Sequence, residues 1–257
     1  MSIAKDAYEE LCRARDALDA GPDEGEERGE LFRRYLKTRI TQYNRAESVR
    51  PVIDPVPAMN RRFFVMQRRV TSQVVFAPGE ASPAYDAGDG RGWEPMRSRP
   101  APRLMLGPGL SFRRMTTVLD CPCYYGTHIL PRSLLDIWLR FDAAALDVLP
   151  IHLEGRRKQP APQDYFYVDI IRRLPAFDLD AMGVFLFRQP KPYANSVEIF
   201  PTPRAFALRD DLPVDGVHLF RDANWRETYF VSTQLHQACL DAGFTDLPLA
   251  APEAPER

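Results

Sequence analysis

Apolar residues recur at spacings of four and three from the start of the chain. Ile3, Ala7, Leu11, Ala14 and Leu18 share one helical face. Gly21-Pro22-Asp23-Glu24-Gly25 breaks the pattern. The stripe resumes at Phe32, Leu36, Ile40 and Tyr43, with Leu31 and Tyr35 beside it. Glu26, Glu27 and Glu30 open this second segment and Arg39 and Arg45 close it, the order a helix dipole favours. The spacing predicts a helical hairpin over 2–48 whose two stripes face each other and leave charged faces outside. Pro51, Pro55 and Pro57 end it and form a linker. The expected division is a helical appendage at 1–50 and a second domain at 51–257.

Beyond the linker the period shortens towards two. Phe63–Met66 and Val74–Phe76 read as short strands. Residues 78–109 carry six prolines and six glycines, a mixture neither helix nor strand tolerates, so a long loop is expected there. From residue 110 the chain is regular, and it repeats itself. Residues 127–139 align with 228–240: Thr opens an apolar strand (Ile129-Leu130; Phe230-Val231) and a helix follows, with Leu134 and Leu139 matching Leu235 and Leu240. Each copy runs on to a Leu-Pro at 149–150 and 247–248, so the unit is strand–helix–strand. Tyr165–Ile171, Val184–Arg188, Ser196–Phe200, Ala205–Leu208 and Val217–Phe220 also read as strands. One helix against several strands gives an α+β fold with a mixed, mainly antiparallel sheet and two similar units, plus the N-terminal hairpin.

Charge separates the regions further. Residues 49–118 carry 11 basic and 5 acidic side chains, a balance of +6, and residues 119–257 carry 14 and 19, a balance of −5. Such asymmetry speaks of partners rather than fold. Arg61, Arg62, Arg68, Arg69, Arg113 and Arg114 lack the aromatic spacing of a stacking platform, so direct nucleic-acid binding is not expected. The acidic counterpart is Asp210-Asp211-Leu212-Pro213-Val214-Asp215, followed by Asp222 and Trp225. Turn chemistry explains such aspartates, and so does a docking surface for a basic partner.

Motifs of catalysis are missing: there is no G-x-S-x-G, P-loop or dinucleotide fingerprint. Cys121-Pro122-Cys123 has neither the spacing nor the second pair of a zinc site, and core thiols are the simpler reading. His128, His152, His218 and His236 form no ligand pair; His218 alternates with apolar neighbours and should face outward or meet a polar partner. Asp86 to Trp93 lacks the ligand spacing of a calcium loop and reads as a turn presenting Trp93. Asp178-Leu179-Asp180 reads as a helix cap. No catalytic residue, metal or cofactor is expected. The four cysteines at irregular spacing and the early charges at Lys5 and Asp6 point to a reducing compartment without a signal peptide, and no apolar run reaches membrane-spanning length. The expected location is the cytoplasm.

Phe63-Phe64-Val65-Met66, Trp93 with Pro95, Ile129-Leu130 leading to Leu134 and Leu139, and Tyr165 to Ile170 with Phe177-Asp178 follow in an order that resembles one family. So do Asp215 to Arg221, Tyr229 to Ser232, and Ala238 to Phe244. That family is immunity protein 11, of bacterial polymorphic toxin and type VI secretion systems, and the resemblance covers about residues 60–250. The chain departs from it at Thr245-Asp246, where the family tends toward Thr-Gly. The resemblance implies a non-enzymatic inhibitor made beside a secreted antibacterial toxin that it binds, often a nuclease of the HNH type. Asp210, Asp211, Asp215, Asp222 and Trp225, with Trp93, are the expected toxin contacts, because a nuclease site is basic and carboxylates answer it. The alternatives are a hydrolase-like enzyme with the 78–109 loop as lid and Asp178, Asp180, Cys121 or His128 as catalysts, or an adaptor or scaffold protein.

Overall fold

The computed structural model describes residues 3–48, 58–66, 74–76, 101–106, 119–120, 127–155, 158–191, 197–200, 206–224, 228–245 and 247–252. They fall into two compact units. One comprises residues 1–60, 175–211 and 252–257, and the other 61–174 and 212–251.

The first unit is built on helices α1 (Ile3–Ala20) and α2 (Glu26–Glu47), joined by a turn in which Gly25 takes a φ of 97°. That angle is open to glycine and costly for a residue with a Cβ. Ala7, Leu11 and Leu18 are buried along α1, as its spacing predicts, and Ala4 is buried in place of Ile3, which is exposed. On α2 the expectation fails. Tyr35 and Ala46 are buried and Leu31 and Tyr43 pack beside them, whereas Phe32, Leu36 and Ile40 are 46%, 38% and 65% exposed. The helix carries two adjacent apolar stripes, more than α1 can cover. The stripe that wins ends in small Ala46, opposite an α1 face whose Ala4 and Ala7 allow close approach.

The same core takes Phe187 and Phe200 from a hairpin of β9 (Phe185–Arg188) and β10 (Val197–Phe200). Tyr8 stacks on Phe185 with centroids 4.7 Å apart and donates from Oη to the Leu186 carbonyl at 2.9 Å. The helices expected as a separate piece thus share their core with residues far along the chain. Also in this unit, Ala205–Leu208 does not form the expected strand among its described residues; Leu208 makes an isolated bridge to Phe177.

The second unit holds two sheets. In chain order its strands are β1 (Phe63–Met66), β2 (Val74–Phe76), β3 (Arg103–Leu106), β4 (Leu119–Asp120), β5 (Thr127–Pro131), β6 (Leu146–Glu154), β7 (Tyr165–Ile170) and β8 (Arg173–Leu174). β11 (Leu219–Asp222), β12 (Tyr229–Ser232) and β13 (Leu249–Ala250) follow. One sheet runs β13-β1-β12-β11-β8 and the other β2-β3-β6-β7-β5-β4. All pairs are antiparallel except β3–β6 and β8–β11, which makes an α+β fold with mixed sheets.

The internal repeat becomes visible as topology. β5 leads through helix α3 (Arg132–Asp142) to β6, and both strands pair antiparallel with β7 between them. β12 leads through helix α5 (Thr233–Asp241) to β13, and both pair antiparallel with β1 between them. Each unit is a split strand–helix–strand whose gap is filled by a third strand. Leu134, Leu135, Ile137 and Trp138 of α3 meet Leu235 and Cys239 of α5 in one core with Leu130, Val168 and Val231.

Candidate functional site

The acidic segment divides between the two units. In the first, Asp210 and Asp211 are exposed at a turn, and Arg209 grips Asp211 with both arms of its guanidinium, Nε to Oδ1 at 2.8 Å and Nη2 to Oδ2 at 2.7 Å. Those hydrogen bonds hold the Asp211 carboxyl below, and the Arg209 guanidinium above, their ordinary values. Asp210 makes no ion pair among the described residues.

In the second unit, buried Leu212 and Val214 pin the next residues. The Val217 N–H donates to the Val214 carbonyl at 3.0 Å and Gly216 takes a φ of 72°, so Asp215 stands fully in solvent at the turn's tip. Its nearest cation is Arg62, 3.6 Å away. Asp222 is placed differently from the expectation. It is 1% exposed in β11, and its carboxylate accepts the Asn224 N–H at 2.8 Å, which stabilises the turn after the strand. That buried position removes it from the exposed acidic set, because the apolar neighbours in the sequence belong to its own strand. Trp225 and Trp93 lie outside the described residues, as do Cys121, Cys123, Arg68, Arg69, Arg113 and Arg114 and the whole Pro/Gly-rich stretch before residue 101.

Asp178 caps helix α4 (Leu179–Met182) by accepting the Ala181 N–H at 2.9 Å, and Asp180 is exposed in that helix. His128 is buried, neither ring nitrogen has a hydrogen-bond partner among the described residues, and burial pushes it down to about 4. His218 does meet a polar partner, Ser232 Oγ at 2.9 Å from Nδ1. That contact has the look of a nucleophile and its base, yet Ser232 is buried and already accepts the Leu235 N–H as the cap of α5. Asp142 binds the His218 backbone N–H rather than the ring. Burial also pushes the Cys239 thiol up to about 11, where it stays protonated and unreactive. No group of three ligating side chains that could hold a metal occurs among the described residues.

Two features had no clear signal in the sequence. Asp142, at the end of α3, accepts the His218 and Leu219 N–H groups at 2.9 and 3.1 Å and the Arg172 guanidinium. Arg221 meets Asp169 at 3.4 Å with both side chains buried. Each is a polar clamp inside the second unit. An open recess of about 530 Å³ is lined by Arg103, His152, Glu154, Lys158, Gln163 and Asp164, with Arg103 and Glu154 paired at 2.9 Å. Its charges balance, so it favours no ligand of one sign.

The described geometry is therefore that of polar clamps within the second unit and of exposed aspartates at a turn in each unit. A family comparison supplies the decisive observation: the model described as Immunity protein family (Imm11) matches residues 57–251. The chain belongs to that family. No curated protein matches the sequence. The matched segment contains both strand–helix–strand units, the β9–β10 hairpin and the acidic turn, while α1 and α2 precede it. An Imm11 protein has an immunity role, and immunity implies a toxin that is bound. No helix among the described residues is long and apolar enough to cross a membrane.

Proposed function

We propose that the protein binds and neutralises a cognate secreted antibacterial toxin that acts in the cytoplasm, a nuclease delivered by a polymorphic or type VI system. On this reading it is an inhibitor and not an enzyme. Family membership carries the immunity part. The exposed aspartates of the two units support the nuclease part. A nuclease must attract a polyanion, so its active site is basic, and an inhibitor that presents carboxylates there gains both steering and specificity. Asp210 and Asp215 are exposed and Asp211 is held ionised by Arg209. Trp225, three residues after Asp222 in the sequence, and Trp93 are the aromatic anchors we propose for the toxin, since hot spots favour Trp.

The test is charge reversal of Asp210, Asp211 and Asp215 to Lys in one variant. All three are on the surface, so the fold should persist by circular dichroism. Association with the toxin encoded beside the gene should slow at least tenfold, and the remaining rate should lose its dependence on salt. Protection of the producing cell should fail. Unchanged association and protection would place the toxin elsewhere, with the 78–109 segment the next surface to alter.

A further inference from the structure

The recess of about 530 Å³ in the second unit lies where β6 ends and the chain doubles back towards β7. Past β6, the Gly155 N–H donates to the Gln159 carbonyl at 2.7 Å, and Glu154 forms an isolated bridge with Pro160. Lys158 sits in that turn with a φ of 57°, the one positive φ of a non-glycine residue among the described residues. Glycine or asparagine would serve the turn with less strain, since lysine has no short polar side chain to bond locally. Residues held at such angles gather at ligand clamps, and Lys158 lines the recess.

The charges around the recess balance in number, but part of their hydrogen-bonding capacity is unused. Glu154 accepts the Arg103 guanidinium on Oε1 at 2.9 Å, and its Oε2 has no hydrogen bond among the described residues. Arg132 approaches Asp164 at 3.7 Å, beyond hydrogen-bond reach, and is shared with Asp136 at 3.9 Å and the Phe166 ring at 4.1 Å. The Asp164 carboxylate thus accepts no hydrogen bond among the described residues. On the donor side, Lys158 has neither an ion pair nor a hydrogen bond among them. Gln163 accepts the Ser133 N–H and hydroxyl on Oε1, at 3.4 and 3.1 Å, which leaves its Nε2 hydrogens to donate.

Open acceptors and open donors therefore line one concavity whose volume suits a small molecule. We infer that the recess binds a small zwitterion of amino-acid or dipeptide size, its carboxylate on Lys158 and Gln163 and its ammonium on Glu154 and Asp164. A simple anion would be drawn to Lys158 and opposed by the two carboxylates. A simple cation would be drawn to the carboxylates and opposed by Lys158 and Arg103. A ligand with both signs answers each group with its complement. None of these residues belongs to the exposed aspartates assigned to the toxin, so this site stands or falls separately from that reading.

The experiment is isothermal titration calorimetry of the full chain with single L-amino acids and with diglycine and dialanine. Controls are N-acetyl derivatives, which keep only the carboxylate, and methyl esters, which keep only the ammonium. At least one free amino acid or dipeptide should bind, and its acetylated and esterified forms should bind at least tenfold more weakly. Lys158→Asn should weaken binding at least tenfold while the turn persists, because asparagine tolerates a positive φ. Asp164→Asn should weaken it at least tenfold by neutralising a partner of the ammonium. Both positions are exposed, and circular dichroism confirms the fold of each variant. Absence of binding by every amino acid and dipeptide overturns the proposal. Equal binding of an acetylated or esterified form makes the recess a site for one sign and overturns it as well. So does binding that both substitutions leave unchanged, which places the ligand elsewhere on the chain.

Discussion

Individual side chains in the second unit show how much depends on satisfying buried polar groups. Asp142 serves two backbone N–H groups and a guanidinium from one carboxylate. Asp142→Ala leaves those donors without it, and we expect a loss of about 3 kcal/mol in urea unfolding. A loss below about 1 kcal/mol would show that water replaces the carboxylate. His128 works in the reverse sense. It is buried as the neutral ring against Tyr229, with centroids 5.2 Å apart, and its value in the fold is lowered from 6.5 to about 4. The unfolded chain therefore takes up a proton that the folded chain refuses. The contribution is complete above pH 6.5 and is lost as the pH falls towards 4, by about 3 kcal/mol in all. His128→Phe should flatten the pH dependence of stability in that window; an unaltered slope would assign the acid sensitivity to other groups. Neither residue could be recognised from the sequence. A histidine among apolar neighbours reads the same whether it is catalytic, ligating or simply buried, and Asp142 acquires its partners only when α3 and β11 meet.

At the scale of elements, local pattern was a good guide where one face of an element dominates. Phe63–Met66 and Val74–Phe76 end where the spacing says, and the two strand–helix–strand units stand at 127–154 and 229–250. Helix α2 misled because periodicity identifies candidate stripes but does not choose between two of them. The choice was made by Ala46 and by Phe187 and Phe200, which approach from the far side of the sequence. The two stripes should therefore differ in cost. Tyr35→Ala is expected to destabilise the protein by about 3–5 kcal/mol, as aromatic truncations in cores do. Ile40→Ser should stay within about 0.5 kcal/mol. Comparable losses at both positions would mean that the exposed ridge is covered within the free protein. The acidic segment was partly legible for the same reason: Asp210, Asp211 and Asp215 lie in turns, as clustered Asp with Pro and Gly indicates, but Asp222 follows the register of β11 into the interior.

At the scale of the molecule, sequence order and spatial grouping diverge. The first unit draws on three separated stretches, so the helices that precede the family segment complete a core that the segment itself supplies in part. A chain beginning at residue 57 exposes Phe187 and Phe200, and we expect a lower melting temperature and aggregation on heating. An unchanged melting temperature would show that β9 and β10 find other cover. Such interleaving is invisible to a reading that scans for linkers, because Pro51, Pro55 and Pro57 mark a break in helix and not a break in packing.

The two strand–helix–strand units also differ in when their middle strand is made. β7 emerges directly after β5, α3 and β6, so the first unit can close over a short span of chain, with pairs such as Leu146 with Ile170. β1 is synthesised long before β12, and Phe63 pairs with Ser232 across most of the protein's length. Loop-closure entropy makes the second closure the slower event, and on the ribosome it must await residues 229–250. A nascent chain halted before residue 229 holds β1 with both flanking positions empty, one short apolar strand presented to chaperones until residues 229–250 arrive to sheathe it on both sides.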